Sequence, residues 1–449
     1  MLDLINPIIG TVAVLFFSVL GITSLAEREV RAFWISMALA AAAALAWFLV
    51  LPGSGIWFNT VAVAGVLSFI VVSFVRFFPP GPLPRQTRNA LQYDERDTMF
   101  ARNNIQHYPD LMAAYYDLKP ELRSPDRQIH AKPEFGDSRQ IFHDHDTAPL
   151  YDAAFTYLVG TIPLSNGPVA PEKKKVQPQQ FAQHLARMVR FYGGCDTGIM
   201  PLSPHHFYSH KGRHAADWGD VPDQTYTTAI VIVVPMSVPM LKQGPTACVI
   251  QESARQYVEA AKVSNIIAGY IRSFGYRARA HNDANYDTLC VPLAVESHLG
   301  ELGRMGIFMH RVHGPCVRLA VVTTDMVLPG TARTCDLHME DFCRICKKCA
   351  DNCPSGSITH GPEQESRGFR HWSIDQEKCF SYWKSIGSDC GMCISVCPYT
   401  KPDTPAHRLV RWYISRNSVN QRIALAMDDL LYGRKKPLPR QNPAQIFRS

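Results

Sequence analysis

Eight of the thirteen cysteines in this 449-residue chain lie between Cys343 and Pro398, and their spacing restricts the fold more than any other feature. The first block reads Cys343-x2-Cys346-x2-Cys349-x3-Cys353-Pro354, and the second reads Cys379-x10-Cys390-x2-Cys393-x3-Cys397-Pro398. In a C-x2-C-x2-C run one tight loop turns three thiolates toward a common centre, while the cysteine before proline starts the next segment and points to a second centre. The spacing predicts two [4Fe–4S] clusters with crossed ligation: Cys343, Cys346, Cys349 and Cys397 on one, Cys379, Cys390, Cys393 and Cys353 on the other. The stretch after Cys379 makes that loop longer than in a plain run. Structural zinc takes cysteines in two pairs per metal, and disulfides belong to oxidising compartments. Neither accounts for two four-cysteine blocks that each close on Cys-Pro.

The first 78 residues are unlike the rest. Asn6–Leu25, Ala32–Leu51 and Ile56–Val75 are apolar runs of twenty residues without Asp, Glu, Lys or Arg, each long enough to cross a bilayer as a helix. A cleaved signal peptide has one such run, not three. Arg28 and Arg31 sit in the first connection, Pro52-Gly53-Ser54-Gly55 carries no charge, and Arg76, Arg85 and Arg88 follow the third run. By the positive-inside rule the N-terminus is outside and the following domain cytoplasmic, so the expected location is the inner (cytoplasmic) membrane, multi-pass. No twin-arginine signal precedes the first run. No histidine precedes His107, which denies these helices the usual ligands of a haem.

The net charge of +7 is spread along the chain, and no lysine/arginine block is interleaved with aromatics as nucleic-acid binding requires. A basic balance beside an anchor suits an anionic lipid surface. The remaining cysteines, Cys195, Cys248, Cys290, Cys316 and Cys335, are scattered and odd in number, as buried thiols in a reduced compartment are.

In order, Pro79–Pro84 is a stiff proline-rich exit from the membrane, and residues up to about 180 are polar and proline-punctuated. His143-Asp144-His145-Asp146 reads as a solvated turn rather than a metal site, and residues 171–180 read as an exposed loop. Phe181–Phe191 has helical spacing. The four histidines His205, His206, His210 and His214 lie in a stretch that is a poor helix and reads as a loop at a pocket rim. Thr227–Val234 is a β-branched run suited to a central buried strand, and Cys248–Phe274 is an amphipathic helix ended by Gly275. Tyr276–Ala280 and Arg318–Thr323 are short strands, so strand and helix alternate in an α/β core. Beyond Cys397 the chain is basic and partly helical, over Asn420–Leu431. Trp218, Trp372 and Trp383 suit an apolar pocket or simple core packing.

With these residues in view, YIRSFGYRARAHN (Tyr270–Asn282), PLAVESHLGELGRMGIFMHRVHGPCVRLAVVTTDMVLPG (Pro292–Gly330) and the two cysteine blocks resemble the reductive dehalogenases over about residues 200–410, and more loosely the epoxyqueuosine reductases. The resemblance implies a cobalamin on a nitroreductase-like α/β core beside a bacterial ferredoxin-like two-cluster module. It also implies base-off cobalamin: Asp336-Leu337-His338-Met339-Glu340-Asp341 lacks the glycine of the Asp-x-His-x-x-Gly motif. In the dehalogenases a tyrosine protonates the reduced substrate, aided by an arginine or lysine and sometimes an asparagine; matched by position, these are Tyr257, Arg304 and Asn282, with Tyr226 as the substitute tyrosine. A phenol donates its proton more readily beside a fixed cation. Respiratory members are commonly exported and use a separate membrane subunit, whereas here the anchor is fused. Epoxyqueuosine reductases use an aspartate as acid, and the helix from Cys248 to Phe274 has none.

The expected organisation is an anchor at 1–78, a linker and extension at 79–180, a cobalamin-binding core at 181–334, a two-cluster module at 335–403 and a basic tail at 404–449. The expected activity is reduction of a carbon–halogen bond to carbon–hydrogen. The implied partners are a small organohalide, the lipid bilayer and an electron donor that is quinol-linked, a ferredoxin or a flavoprotein, and the sequence allows a homodimer. The rivals are an epoxyqueuosine-type reductase and an electron-transfer subunit without corrinoid.

Overall fold

The computed structural model describes residues 2–50, 56–75, 90–332 and 338–438. The Pro52–Gly55 connection, the arginines at 76, 85 and 88, the Pro79–Pro84 exit, Cys335, Asp336, Leu337 and residues 439–449 lie outside the described residues. The chain divides into two compact units, Met1–Pro80 with Asp403–Lys436, and Gly81–Pro402 with Pro437–Ser449.

In the first unit α1 (Leu2–Ala26), α2 (Val30–Leu45, continued by a π-helical turn at Ala46–Val50) and α3 (Ile56–Phe74) contain spans long and apolar enough to cross a membrane, at Pro7–Ala26, Val30–Leu49 and Ile56–Phe74. Small residues set the contact between α1 and α2: a Cβ on Gly10 would lie 2.6 Å from that of Trp47, and Ser24, Ala32, Ser36 and Ala40 are buried. Without water to drive helices together, such close backbone approach carries their association.

The second unit is built on a four-stranded sheet of β1 (Asp196–Pro201), β2 (Thr228–Pro235), β3 (Ala278–His281) and β4 (Val317–Thr324), in the order β1-β2-β4-β3. Every pairing is antiparallel, and β2 and β4 pair from Thr228 opposite Thr324 to Pro235 opposite Val317. Alternate residues of β2 face two different cores. Ile230, Ile232 and Val234 pack under α4 (Pro178–Phe191) and α5 (Ala247–Arg272), with Ala260, Val263, Ile267 and Ile271 of α5 above them. Ala229, Val231 and Val233 meet Leu293, Ala294, Leu299 and Phe308. A strand covered on both faces must be apolar throughout, which is why TAIVIVV shows no alternation.

The segment before β1 is built into the cluster module. Helix α6 (Gln376–Ile386) carries Lys384, which is fully buried and donates to Asn103 Oδ1 and Glu134 Oε1, both at 2.8 Å. Arg102 bridges Asp126 at 2.5 Å and Glu377 at 2.7 Å. A buried cation is tolerated only when paired in this way. His143–Asp146 is a turn, as expected, with Asp144 Oδ1 accepting from Thr147 N at 2.9 Å just before the helix Ala148–Gly160. The chain ends its described part with α7 (Pro405–Ile414) and α8 (Ser418–Tyr432), which group with the three spans.

Candidate active site

The cysteine blocks fold as short helices with tight left-handed turns between them. Met339–Cys346 ends on Lys347 at φ 54°, and Cys390 itself stands at φ 58°, so consecutive thiols are re-aimed within a few residues. Cys343, Cys346, Cys349 and Cys397 line one pocket, with Arg304, Phe342 and Tyr399 among its walls. Burial first, and then Cys343, Cys346 and Cys349, push the Cys397 thiol well above its ordinary value. The other four affect each other in the same way: burial and the neighbours Cys390, Cys349, Cys379 and Cys353 raise Cys393, and Cys379 is pushed up to about 11 by burial with Cys353 next. Cys353 is lowered; burial opposes this, but hydrogen bonds from Ser355 Oγ and the backbone N–H groups of Ile358, Ser357 and Ser355 outweigh it. Buried thiols that hinder each other's ionisation fit a cationic iron–sulfur core, whose charge stabilises the thiolates.

Tyr257 lies on α5 and is partly accessible. Arg318 of β4 places its guanidinium 4.3 Å from the centre of the Tyr257 ring. Arg318 Nη2 donates to Ser253 Oγ and, at 3.3 Å, to Asp389 Oδ2, so one side chain joins the sheet, the helix and the loop that leads into Cys390. Burial raises the Tyr257 phenol above its usual range, and Arg318 works against that rise. Asp283 is close enough to act on both Tyr257 and Arg318, and burial raises its carboxyl as well, against Arg213 and Arg318. Tyr286 joins the group, its phenol raised well above normal by burial. Gly244 lets the turn before α5 touch the second cluster loop, since a Cβ there would stand 2.6 Å from Cys390 O.

Arg304 is not the cation of this centre. It is buried under Trp372, 4.6 Å from the ring centre, and donates to the backbone oxygens of Cys343 at 3.0 Å, Thr359 at 2.9 Å and Gly361 at 2.8 Å. Its Nε and Nη1 hold the first cysteine block to the loop after it, and Arg318 takes the place next to the tyrosine. Asn282 is fully buried, with Nδ2 donating to Ser264 Oγ at 3.3 Å and Asn265 Oδ1 at 3.5 Å. That is two helical turns beyond Tyr257 on the same face of α5, or about 11 Å along the axis. The substitute Tyr226 lies elsewhere, with Arg277 5.1 Å from its ring centre. Trp372 and Trp383 pack in the cluster module, the latter against Phe100 and Phe380.

Asn282 Oδ1 and Thr288 Oγ1 are buried without a protein partner, as are Arg213 Nε and Arg318 Nε. Buried polar atoms without a partner are uncommon; on these residues acceptors and donors both stand open, which is compatible with a ligand rich in carboxamides, as a corrinoid is. Two further groups have metal-ligand composition, His205/His206/Glu296 and Cys195/His310/His313. In each, one histidine ring is committed elsewhere. His206 Nδ1 accepts from Ser203 N at 2.9 Å and His310 Nδ1 accepts from Val312 N and His313 N, both at 3.3 Å, which leaves each Nε2 as the protonated nitrogen, facing Glu296 and Asp196.

Fold and site together define an iron–sulfur redox protein whose two-block cysteine module is set against a sheet-and-helix core. Residues 342–401 match the 4Fe-4S dicluster domain family. Over 220 residues the chain is 34% identical to the tetrachloroethene reductive dehalogenase of Sulfurospirillum multivorans, covering 47% of this chain and 43% of that protein. Over 208 residues it is 33% identical to the tetrachloroethene reductive dehalogenase of Desulfitobacterium hafniense, covering 43% and 37%. A solved reductive dehalogenase described with a mechanism for B12-dependent dehalogenation superposes with a TM-score of 0.64 at 23% identity, over 81% of this chain and 49% of that one. Over this stretch the chain is similar to the reductive dehalogenases, and its second unit shares the fold of the solved one. The chain spans less than half the length of these two curated relatives.

Proposed function

We propose that the chain is a membrane-anchored reductive dehalogenase that replaces a carbon–halogen bond by carbon–hydrogen. The observation that carries this reading is the Arg318–Tyr257 pair, a phenol with a cation on its ring, in a chain that also has the eight-cysteine module. Cys343, Cys346, Cys349 and Cys397 would hold one [4Fe–4S] cluster and Cys353, Cys379, Cys390 and Cys393 the other, to relay electrons from a donor. Base-off cobalamin, when bound, supplies the strongly reducing and nucleophilic metal that carbon–halogen cleavage needs. The residues of the chain do the rest. Tyr257 gives its phenolic proton to the carbon that loses halide, and Arg318 stabilises the phenolate so formed. Ser253 and Asp389 hold the guanidinium in place, and the surrounding side chains keep water from the reacting carbon. Asn282 offers its open amide oxygen to the ligand, and Arg304 positions the first cysteine block.

The three apolar helices anchor the chain, with the catalytic unit on the cytoplasmic side. The names of the relatives make tetrachloroethene the first substrate to try. Anaerobically purified protein should contain about eight irons per chain, as two four-iron clusters require, together with one cobalt, and should release chloride from tetrachloroethene with an artificial low-potential donor. Eight irons without cobalt after reconstitution would leave only an electron-transfer protein.

A second proton source is favoured by one observation. Asp283 stands beside the same tyrosine with a carboxyl raised by burial, although the helix itself has no aspartate. An aspartate acid is what the epoxyqueuosine reductases use, and comparing Tyr257→Phe with Asp283→Asn separates the two donors.

A further inference from the structure

The chain after the cluster module has no cysteine and plays no part in the chemistry above, but it completes the anchor. The last carbonyls of a helix lack intrahelical partners, and next to hydrocarbon an unsatisfied one is costly. At the end of α3, Asn417 Nδ2 donates to Val72 O at 3.0 Å and Val75 O at 2.9 Å, and Asn420 Nδ2 donates to Ser73 O at 3.0 Å. Both asparagines are fully buried. At the turn between α1 and α2, His407 Nε2 lies 2.7 Å from Glu27 Oε1, and Arg31 Nη2 donates to Leu430 O at 3.3 Å. Helices α7 and α8 therefore close the ends that the spans present on one side.

Their outer face has a different composition. His407 and Ile414 of α7 point inward, while Leu409 is 53% exposed, Val410 42% and Trp412 37%. Trp412 meets exposed Phe74, the last residue of α3, edge to face with ring centres 5.2 Å apart, so the apolar strip continues the surface of the third span without a break. Arg416 places its guanidinium 5.0 Å from the Trp412 ring centre, Arg408 and Arg422 are exposed, and Val419 and Leu430 extend the strip along α8. A tryptophan and aliphatic residues bordered by arginines suit the zone between acyl chains and phosphates.

We propose that α7 and α8 form an interfacial helical hairpin of the anchor, with Leu409, Val410 and Trp412 sunk to the glycerol level of an anionic leaflet and the arginines at the lipid phosphates. This rests on the three apolar helices crossing the membrane. The test uses the full chain in nanodiscs of phosphatidylcholine and phosphatidylglycerol, with photoreactive benzoylphenylalanine replacing Leu409, Phe69 in the third span, or the exposed Phe191 at the end of α4. Metal content checks that each variant is folded. Lipid adducts are expected at 69 and 409 and not at 191, and leaving out phosphatidylglycerol should lower the yield at 409 several-fold while 69 is unchanged. Adducts at 69 with none at 409, or adducts at 409 to a second copy of the chain, would overturn the interfacial hairpin and leave the anchor standing. No lipid adducts at 69 would overturn the membrane reading itself.

Discussion

Replacing Arg318 with methionine keeps most of the side-chain volume and removes the charge beside Tyr257. The guanidinium stands 4.3 Å from the ring centre; the phenolate charge lies mainly on the oxygen beyond the ring, so at a separation of about 5 Å and an effective dielectric of about 20 it is stabilised by roughly 3 kcal/mol. Asp283 and Asp389 offset part of this, so the expected rise in the barrier to proton donation is about 2 kcal/mol, or roughly thirtyfold in kcat. Arg318→Lys keeps the charge on a shorter, non-planar group and should lose about tenfold. The assay is chloride release by reconstituted protein, with iron and cobalt content as the control for folding. Because the acid must be protonated to act and burial raises the Tyr257 phenol, the wild-type rate should show no alkaline loss from this group below about pH 10. An Arg318→Met variant within threefold of wild type would refute the pairing, and an active Tyr257→Phe with an inactive Asp283→Asn would move the proton to the aspartate.

Three other outcomes follow from the same geometry. Cys397→Ser should remove the cluster shared with Cys343, Cys346 and Cys349 and spare the one at Cys353, so iron falls from about eight to about four per chain; loss of the Cys379-side cluster by electron paramagnetic resonance would contradict the crossed ligation. Glu95 is buried, its carboxyl pushed up from 4.5 to about 7 mainly by burial, with Gly212 N–H opposing. A folded-state value above the unfolded one gives stability that is fully present below about pH 4.5 and is lost as the pH rises through about 7, at most about 3 kcal/mol. Glu95→Gln should therefore raise the melting temperature at pH 8 and not at pH 5, and equal shifts at both would rule the account out. Asn417→Ala and Asn420→Ala should each destabilise the first unit by about 1–3 kcal/mol through uncapped carbonyls, read as a lower melting temperature in detergent with unchanged iron content.

Much of this was legible in residue spacing because the relevant physics is local. The sequence places strands at Thr227–Val234 and Arg318–Thr323 and a helix at Cys248–Phe274, and the structure has them at Thr228–Pro235, Val317–Thr324 and Ala247–Arg272, because burial on both sheet faces or one helix face imposes its own period. The alternation of strand and helix does not reveal that the sheet is wholly antiparallel, with the last strand between β2 and β3. Strand β1 went unread: DTGIMP is short and polar at its start, and it is a strand because it pairs with Val233 through Thr228. The capping of α3 by α8 is equally invisible in sequence, since its donors and acceptors are more than three hundred residues apart.

The cation beside the tyrosine shows what kind of signal long-range chemistry leaves. Arg304 is set among glycines, which suggests a backbone making room for a ligand; the room instead admits the carbonyls of the cysteine module. Arg318 is the single charge in the strand Val317–Thr324, in a position where Val317, Leu319 and Ala320 are all buried. An arginine in the middle of a sheet has no hydrophobic reason to be there, and a charge is kept in such surroundings only where other charges or a reaction need it. Asp389, one residue before Cys390, is its partner. On the reading proposed above, the cation beside the proton donor is fastened to the loop of the second cluster, and a change that loosens Asp389 should disturb the proton donor before it costs a cluster.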